Sequence, residues 1–280
     1  MTKRKIILAA SLLISSLCLS GCGHYNEVGR ESYSISRERS LASATDGASD
    51  AEHRILTGVV TREEQETDEI NIRDSPETYI IDDVPHIYQC DLYPTGCESV
   101  SAVSLMNFYG IDITVDEFID NYLPRSPLPY LEDDGYLHAE SPWYSFIGDP
   151  YSGNSYGCYA SVIENALNSA LPDGYIAEAE YGSPLEYAAE EYIANGEPVM
   201  IWATVGMKEP WQGNSWIVPN GEYFTFICPE HALLFIGYDE EFYYFSDPMA
   251  EDEIVSYYKY DCEQAYLALG AQMIRIKMCE

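Results

Sequence analysis

The chain has 280 residues, is 46% hydrophobic and 13% aromatic, and carries 47 acidic against 14 basic side chains, a formal charge of −33. That composition suits a globular fold with a sizeable core. So acidic a surface repels nucleic acid and anionic headgroups, so no nucleic-acid partner is expected; charge alone names no partner.

In chain order, Lys3, Arg4 and Lys5 precede an apolar run from Ile6 to Leu19 that is too short to span a bilayer comfortably. This pattern predicts an export signal over residues 1–21. Leu19-Ser20-Gly21-Cys22 resembles the bacterial lipoprotein cleavage box, which implies that Cys22 is lipidated and becomes the new N-terminus. Two or three acyl chains anchor stably where one does not, so the expected location is the outer face of the cytoplasmic membrane. Removing residues 1–21 leaves 11 basic and 47 acidic residues, a charge of −36. Residues 22–81 are rich in Ser, Glu, Asp, Arg and Thr and lack a sustained period, which reads as a disordered tether with one short apolar patch, Ile55 to Val60.

A folded domain is expected over residues 82–280. Its predicted elements are a strand near Val84 to Tyr88, a helix after Cys97, a second helix over Val115 to Tyr122, and a long loop from Leu123 to Gly157. Helices follow over Ser161 to Ala170 and Pro184 to Asn195, the latter stopped by Gly196. Strands are expected at Val199 to Thr204, Tyr223 to Ile227, Ala232 to Tyr238, Phe242 to Phe245 and Ile254 to Tyr260, then a helix at Cys262 to Leu269 and a strand at Gln272 to Met278. Helices early and strands late give an α+β fold. A loop as long as residues 123–157 is usually functional or else disordered, and its aromatics argue for order.

"YPTGCESVSAVSLMNFYG", residues 93–110, holds the first candidate for chemistry. Thr95 and Glu98 fit a capping box, with Thr95 as N-cap and Glu98 reaching back to it. Cys97 then sits in the first helical turn, where the helix dipole favours thiolate and the Cys97 N–H has no intrahelical partner. Ala102, Leu105, Met106 and Tyr109 fall on one face, so the helix is a central one. A free cysteine is, however, as often a small buried hydrophobe.

A thiolate nucleophile wants a base and an acceptor that orients the base. Of five histidines, His24 and His53 lie in the tether and His231 opens the apolar "HALLFIGYD". Asp247 lies just past the next strand with Pro248 fixing the turn, whereas Asp239 ends the strand that His231 begins, more than roughly 20 Å away at strand rise. Cys158 is a weaker rival nucleophile, because Ser161 and Glu164 would cap the following helix and leave it outside. The spacing of Cys90, Cys158, Cys228, Cys262 and Cys279 suggests no zinc site and no cofactor, and leaves their pairing open.

"VPHIYQCDLYPTGCESVSAVSLMNFYG", "FIGDPYSGNSYGCYA", "HALLFIGYD" and "FSDP" are similar to successive blocks of the double-glycine leader peptidase-like proteins, the exported branch of cysteine peptidase family thirty-nine. The resemblance spans residues 84–248. It implies a papain-like fold, with a central helix packed on an antiparallel sheet, and a Cys-His-Asp triad of Cys97 as nucleophile, His231 as base and Asp247 as orienting acid. It also implies Gln89 as oxyanion donor, a contribution on the order of 3 kcal/mol in comparable sites. Gln89 stands eight residues before Cys97, farther than the papain-like pattern places its glutamine.

The expected activity is hydrolysis of peptide or amide bonds through a thioester, on a peptide or protein outside the cell. No transporter segment accompanies the domain in this sequence, so double-glycine cleavage does not automatically follow. Trp143, Tyr156, Trp211 and Trp216 are candidate substrate-binding aromatics. A transglutaminase-like acyl transferase on the same triad and a non-catalytic surface binding module are the alternatives.

Overall fold

The computed structural model describes residues 78–279. The signal segment, Cys22, His24, His53, the Ile55 to Val60 patch and nearly all of the expected tether lie outside the described residues.

The elements are β1 (Tyr79–Ile80), α1 (Cys97–Phe108), α2 (Val115–Asn121), four two-residue strands β2 (Arg125–Ser126), β3 (Tyr130–Leu131), β4 (Leu137–His138) and β5 (Phe146–Ile147), α3 (Ala160–Ala170), β6 (Tyr175–Tyr181) and α4 (Leu185–Glu191). They continue with β7 (Val199–Thr204), β8 (Trp211–Ile217), β9 (Tyr223–Cys228), β10 (Glu230–Tyr238), β11 (Phe242–Ser246), β12 (Val255–Tyr258), α5 (Lys259–Ala268) and β13 (Gln272–Met278). The main sheet runs β12-β11-β10-β7-β13-β6, with β1 also paired to β10, and every pairing is antiparallel. A smaller sheet, β3-β4-β8-β9, and a β2-β5 pair complete an α+β architecture.

Period-two alternation divides the core. Met200, Trp202, Ala232, Leu234 and Ile236 face a cluster with α1, α2 and α3, while Val199, Ile201, Leu233 and Phe235 face one with α4 and α5. Both faces are covered, which is why β7 and β10 read as continuous apolar runs. Helix α1 is buried from Cys97 to Met106, its serines included, as befits a helix enclosed on all sides. Ser101 settles against β10 by donating its hydroxyl to Ala232 O at 3.1 Å.

Several expectations are corrected. Residues 84–88 form no strand; His86 there is held by Ser246 Oγ at 3.1 Å and Ala250 O at 3.0 Å, and so braces the segment that carries Asp247. Gly96, not Thr95, is the N-cap of α1, with no side-chain cap. Thr95 instead donates its hydroxyl to Asp149 O and Ser152 O, at 3.3 and 2.8 Å. Ser161 and Glu164 form no box on α3: Ser161 donates to Trp143 O and Glu164 accepts Ala179 N–H. Strands β6 and β8 were not expected. The long loop is ordered, and β3 and β4 within it build part of the second sheet.

The start of α3 is fixed from a distance. Gln272, fully buried on β13, accepts the Ala160 N–H at 3.0 Å and donates to Leu269 O, and Trp202 Nε1 donates to Cys158 O at 2.9 Å. Gln272→Leu leaves a buried N–H and a buried carbonyl without these partners, so the denaturation midpoint should fall by the equivalent of about 1–3 kcal/mol. An unchanged midpoint would show that this bridge does not hold α3.

Candidate active site

A tight turn places Cys97. Tyr93 N–H bonds Gln89 O at 2.7 Å, Gly96 N–H bonds Tyr93 O at 2.9 Å, and Val100 N–H then opens the helix on Gly96 O. Cys97 is the first residue of α1 and is only 6% exposed.

Glu98 turns inward rather than back along the helix. Its Oε1 accepts the Cys158 N–H at 2.6 Å and its Oε2 faces the Cys97 thiol at 3.3 Å. Glu230, the residue before His231, is buried beside it: Cys97 Sγ and one oxygen from each glutamate all lie within 4.8 Å of one another. Gly157 makes room for both carboxyls, since a Cβ there would meet Glu98 Oε1 at 2.4 Å and Glu230 Oε2 at 2.9 Å; its φ of +109° suits only glycine. Burial pushes Glu98 up to about 7 against the hydrogen bonds it accepts, and burial together with Glu98 pushes Glu230 far above the usual carboxylate range.

The resting thiol is therefore not the dipole-favoured thiolate that the cap suggested. Burial, and then the Glu98 and Glu230 carboxyls, push the Cys97 thiol well up; only the Ala232 N–H works the other way. That contact also places the sulfur against the residue that follows His231.

His231, 1% exposed, holds Asp247 across the β10-β11 pair, with Nε2 2.7 Å from Oδ1. Asp247 Oδ1 also accepts the Met249 N–H at 2.9 Å and Oδ2 the Tyr257 hydroxyl at 3.2 Å. Burial would raise its carboxyl, but His231 and these donors outweigh it and hold Asp247 below the usual range. With an acceptor at Nε2, the neutral ring carries its proton there and leaves Nδ1 as the basic nitrogen. His231 Nδ1 is buried without a hydrogen-bond partner, so the expected thiol–imidazole bond is not made. The thiol has turned to a carboxyl acceptor instead.

Gln89 is buried and tied to the same place, its N–H donating to Pro248 O at 2.8 Å. Its Nε2 leans on Pro94 O at 3.4 Å and its Oε1 has no partner. Of the four candidate substrate-binding aromatics, Trp216 is wholly buried, donating Nε1 to Glu140 O and packing on Tyr156 and Phe224, so it offers substrate no surface. Trp143 and Tyr156 are half-buried in the same aromatic cluster, Trp143 against Tyr159 and Tyr156 against Phe226. Trp211, 51% exposed, is the remaining open ring, opposite Cys228 near the strand that carries His231.

Sequence reasoning gave Glu98 only a capping role and missed Glu230 and Tyr257. The two glutamates had a signal: an acid inside an otherwise buried segment, next to a candidate nucleophile and a candidate base. Cys158 is a buried thiol bonded through its N–H to Glu98, and Cys262 is a buried thiol of α5. Cys97 and Cys158 are both hydrogen-bonded to Glu98, and we assign no metal to the Cys97, Glu98 and Glu230 cluster.

Residues 81–274 match the Peptidase_C39 like family. No curated protein is detectably similar in sequence. Among solved structures, a protein of Bacillus anthracis described as a C39-like peptidase is similar at 24% identity and a TM-score of 0.63, covering 73% of this chain and all of its own. A double glycine motif protease from an AMS/PCAT transporter, solved with its leader peptide, matches at 13% identity and 0.40, over 70% of this chain and 92% of its own. Xylellain, a cysteine protease from Xylella fastidiosa, matches at 13% and 0.37, over 73% and 87%. With the match extending over the helix of Cys97, the strand of His231 and the turn of Asp247, the chain belongs to the Peptidase_C39 like family and is a cysteine peptidase-like enzyme with an α+β fold.

Proposed function

We propose that this protein is a membrane-anchored, extracytoplasmic thiol hydrolase that cleaves peptide or amide bonds through Cys97, His231 and Asp247. The observation that carries this reading is the buried His231–Asp247 pair at 2.7 Å, which leaves Nδ1 unpartnered beside the N-terminus of α1. An imidazole oriented by a carboxylate, with its second nitrogen free to take a proton, is what a thiol nucleophile requires.

Catalysis begins with rotation of the Cys97 side chain from Glu98 towards His231. Nδ1 takes the thiol proton and Sγ attacks the substrate carbonyl carbon. The Cys97 N–H, and the Gln89 amide after it turns from Pro94, hold the oxyanion. The imidazolium then protonates the leaving amine as the C–N bond breaks, giving a thioester. Water, deprotonated by the same nitrogen, releases the acid and restores the thiol. Asp247 stays ionised and fixes the ring. Trp211 is the open surface for a substrate side chain. The substrate class is an extracellular peptide, a surface protein or an envelope amide.

The lipid anchor rests on the basic start, the apolar run and the Leu19 to Cys22 box. In a bacterial host, Cys22→Ser should move the protein from the membrane fraction to the soluble or signal-bearing fraction and abolish acyl labelling. Acyl labelling that persists in the variant would refute lipidation at Cys22. Against a pooled peptide library, Cys97→Ala should lower turnover by about 10⁴-fold or more, and His231→Ala by about 10²- to 10⁴-fold, with the fold intact. Full activity in Cys97→Ala would overturn the assignment.

A further inference from the structure

Two buried acids stand beside the nucleophile, and no step of the reaction above uses either. The groups facing them are the Cys97 thiol from α1, the N–H and thiol of Cys158 ahead of α3 together with Tyr159, and His231 on β10, which in turn faces Asp247. No lysine or arginine is among these groups. One Glu230 oxygen, buried, has no hydrogen-bond partner, and the same holds for His231 Nδ1. The one acceptor that the thiol does engage is Glu98 Oε2.

Two buried carboxyls whose oxygens lie within 4.8 Å of each other cannot both be ionised. One proton must be held between them. The remaining charge rests on Glu98, because the Cys158 N–H at 2.6 Å stabilises it there, whereas Glu230 Oε1 is buried without a partner. A charged Glu98 does two things to Cys97: it accepts the thiol proton in a hydrogen bond that points Sγ away from His231, and its field opposes the thiolate.

We propose that Glu98 is a positioning residue that parks the Cys97 thiol off its base, with Glu230 holding the proton that the two acids share, so that protonation of Glu98 releases the nucleophile to His231. This rests on the reading of Cys97 and His231 as nucleophile and base. No covalent step is added: a proton enters the pair from solvent, the S–H···Oε2 hydrogen bond is lost, and the thiol proton passes to Nδ1. Because Glu98 is raised to about 7, the parked state gains as the pH rises through that region and the released state gains below it.

The test is the rate of Cys97 alkylation by iodoacetamide, mapped by mass spectrometry on the full-length chain from pH 5.5 to 8.5 with a chelator present. Glu98→Gln keeps an amide oxygen for the Cys158 N–H but cannot carry charge. Its rate relative to the parent should be close to one at pH 5.5 and rise to about tenfold or more at pH 8, with a midpoint near 7. A ratio that stays flat across this range in a folded variant overturns the proposal. Should Glu98→Gln fail to fold, Glu230→Gln decides: the charge that parks the thiol stays on Glu98, so the inflection of the profile should persist, and its loss overturns the proposal. His231→Ala separates the two readings. If it leaves Cys97 alkylation unchanged at every pH, the base assignment fails whatever Glu98 does.

Discussion

The buried carboxyl of Glu98 is the interaction on which the rest of the site depends. It joins the first turn of α1 to the Cys158 N–H ahead of α3, and it lies against Glu230 at the mouth of β10. Three segments far apart in sequence meet at one side chain. An unpaired acid in such a place costs several kcal/mol, and the structure reduces that cost with an N–H donor, thiol contacts and a neighbour that takes the proton. The space itself comes from Gly157, whose missing Cβ leaves room for both carboxyls.

Around this point His231 and Cys97, the proposed base and nucleophile, are held in different ways. His231 sits on β10 and Asp247 just past the end of the adjacent β11, in a sheet covered on both faces, and Asp247 is further fixed by Met249, Tyr257 and, through the next turn, the His86 bridge between Ser246 and Ala250. The imidazole is thus oriented before any substrate arrives. Cys97 has a fixed backbone but two acceptors to choose between, and a rotation about one bond decides which it faces. Rigidity lies with the imidazole and the choice with the thiol.

Much of this was legible in the chain. Strands β7 and β13 were read to the residue, because each is a short apolar or amphipathic run bounded by turn residues. His231 and Asp247 were legible for a related reason: a histidine in an apolar strand and an Asp-Pro after the next are uncommon, and antiparallel neighbours bring them together. The capping box was misread because Thr95-x-x-Glu98 is a local pattern, and both side chains found stronger partners across the fold, Thr95 on residues 149 and 152 and Glu98 on Cys158. No local rule contains those partners. Strand β6, "YIAEAEY", carries glutamates on its more open face, and β8, "WQGNSWI", carries a glycine, so both read as weak strands until β13 and β9 supply their hydrogen bonds. Trp216 was offered as a substrate surface, but a large aromatic among Tyr156, Phe224 and Phe226 is more readily core.

The central claim is that Cys97 attacks carbonyl carbon with His231 as its base. The most direct measurement is intact-mass and peptide mapping after incubation with a peptidyl diazomethyl ketone, a reagent that alkylates a thiol through attack at a carbonyl-bearing warhead. The account predicts a single adduct on Cys97 in the parent and little or none in His231→Ala. Adducts spread over Cys158, Cys262 and Cys279, or equal labelling of Cys97 with and without His231, would contradict it.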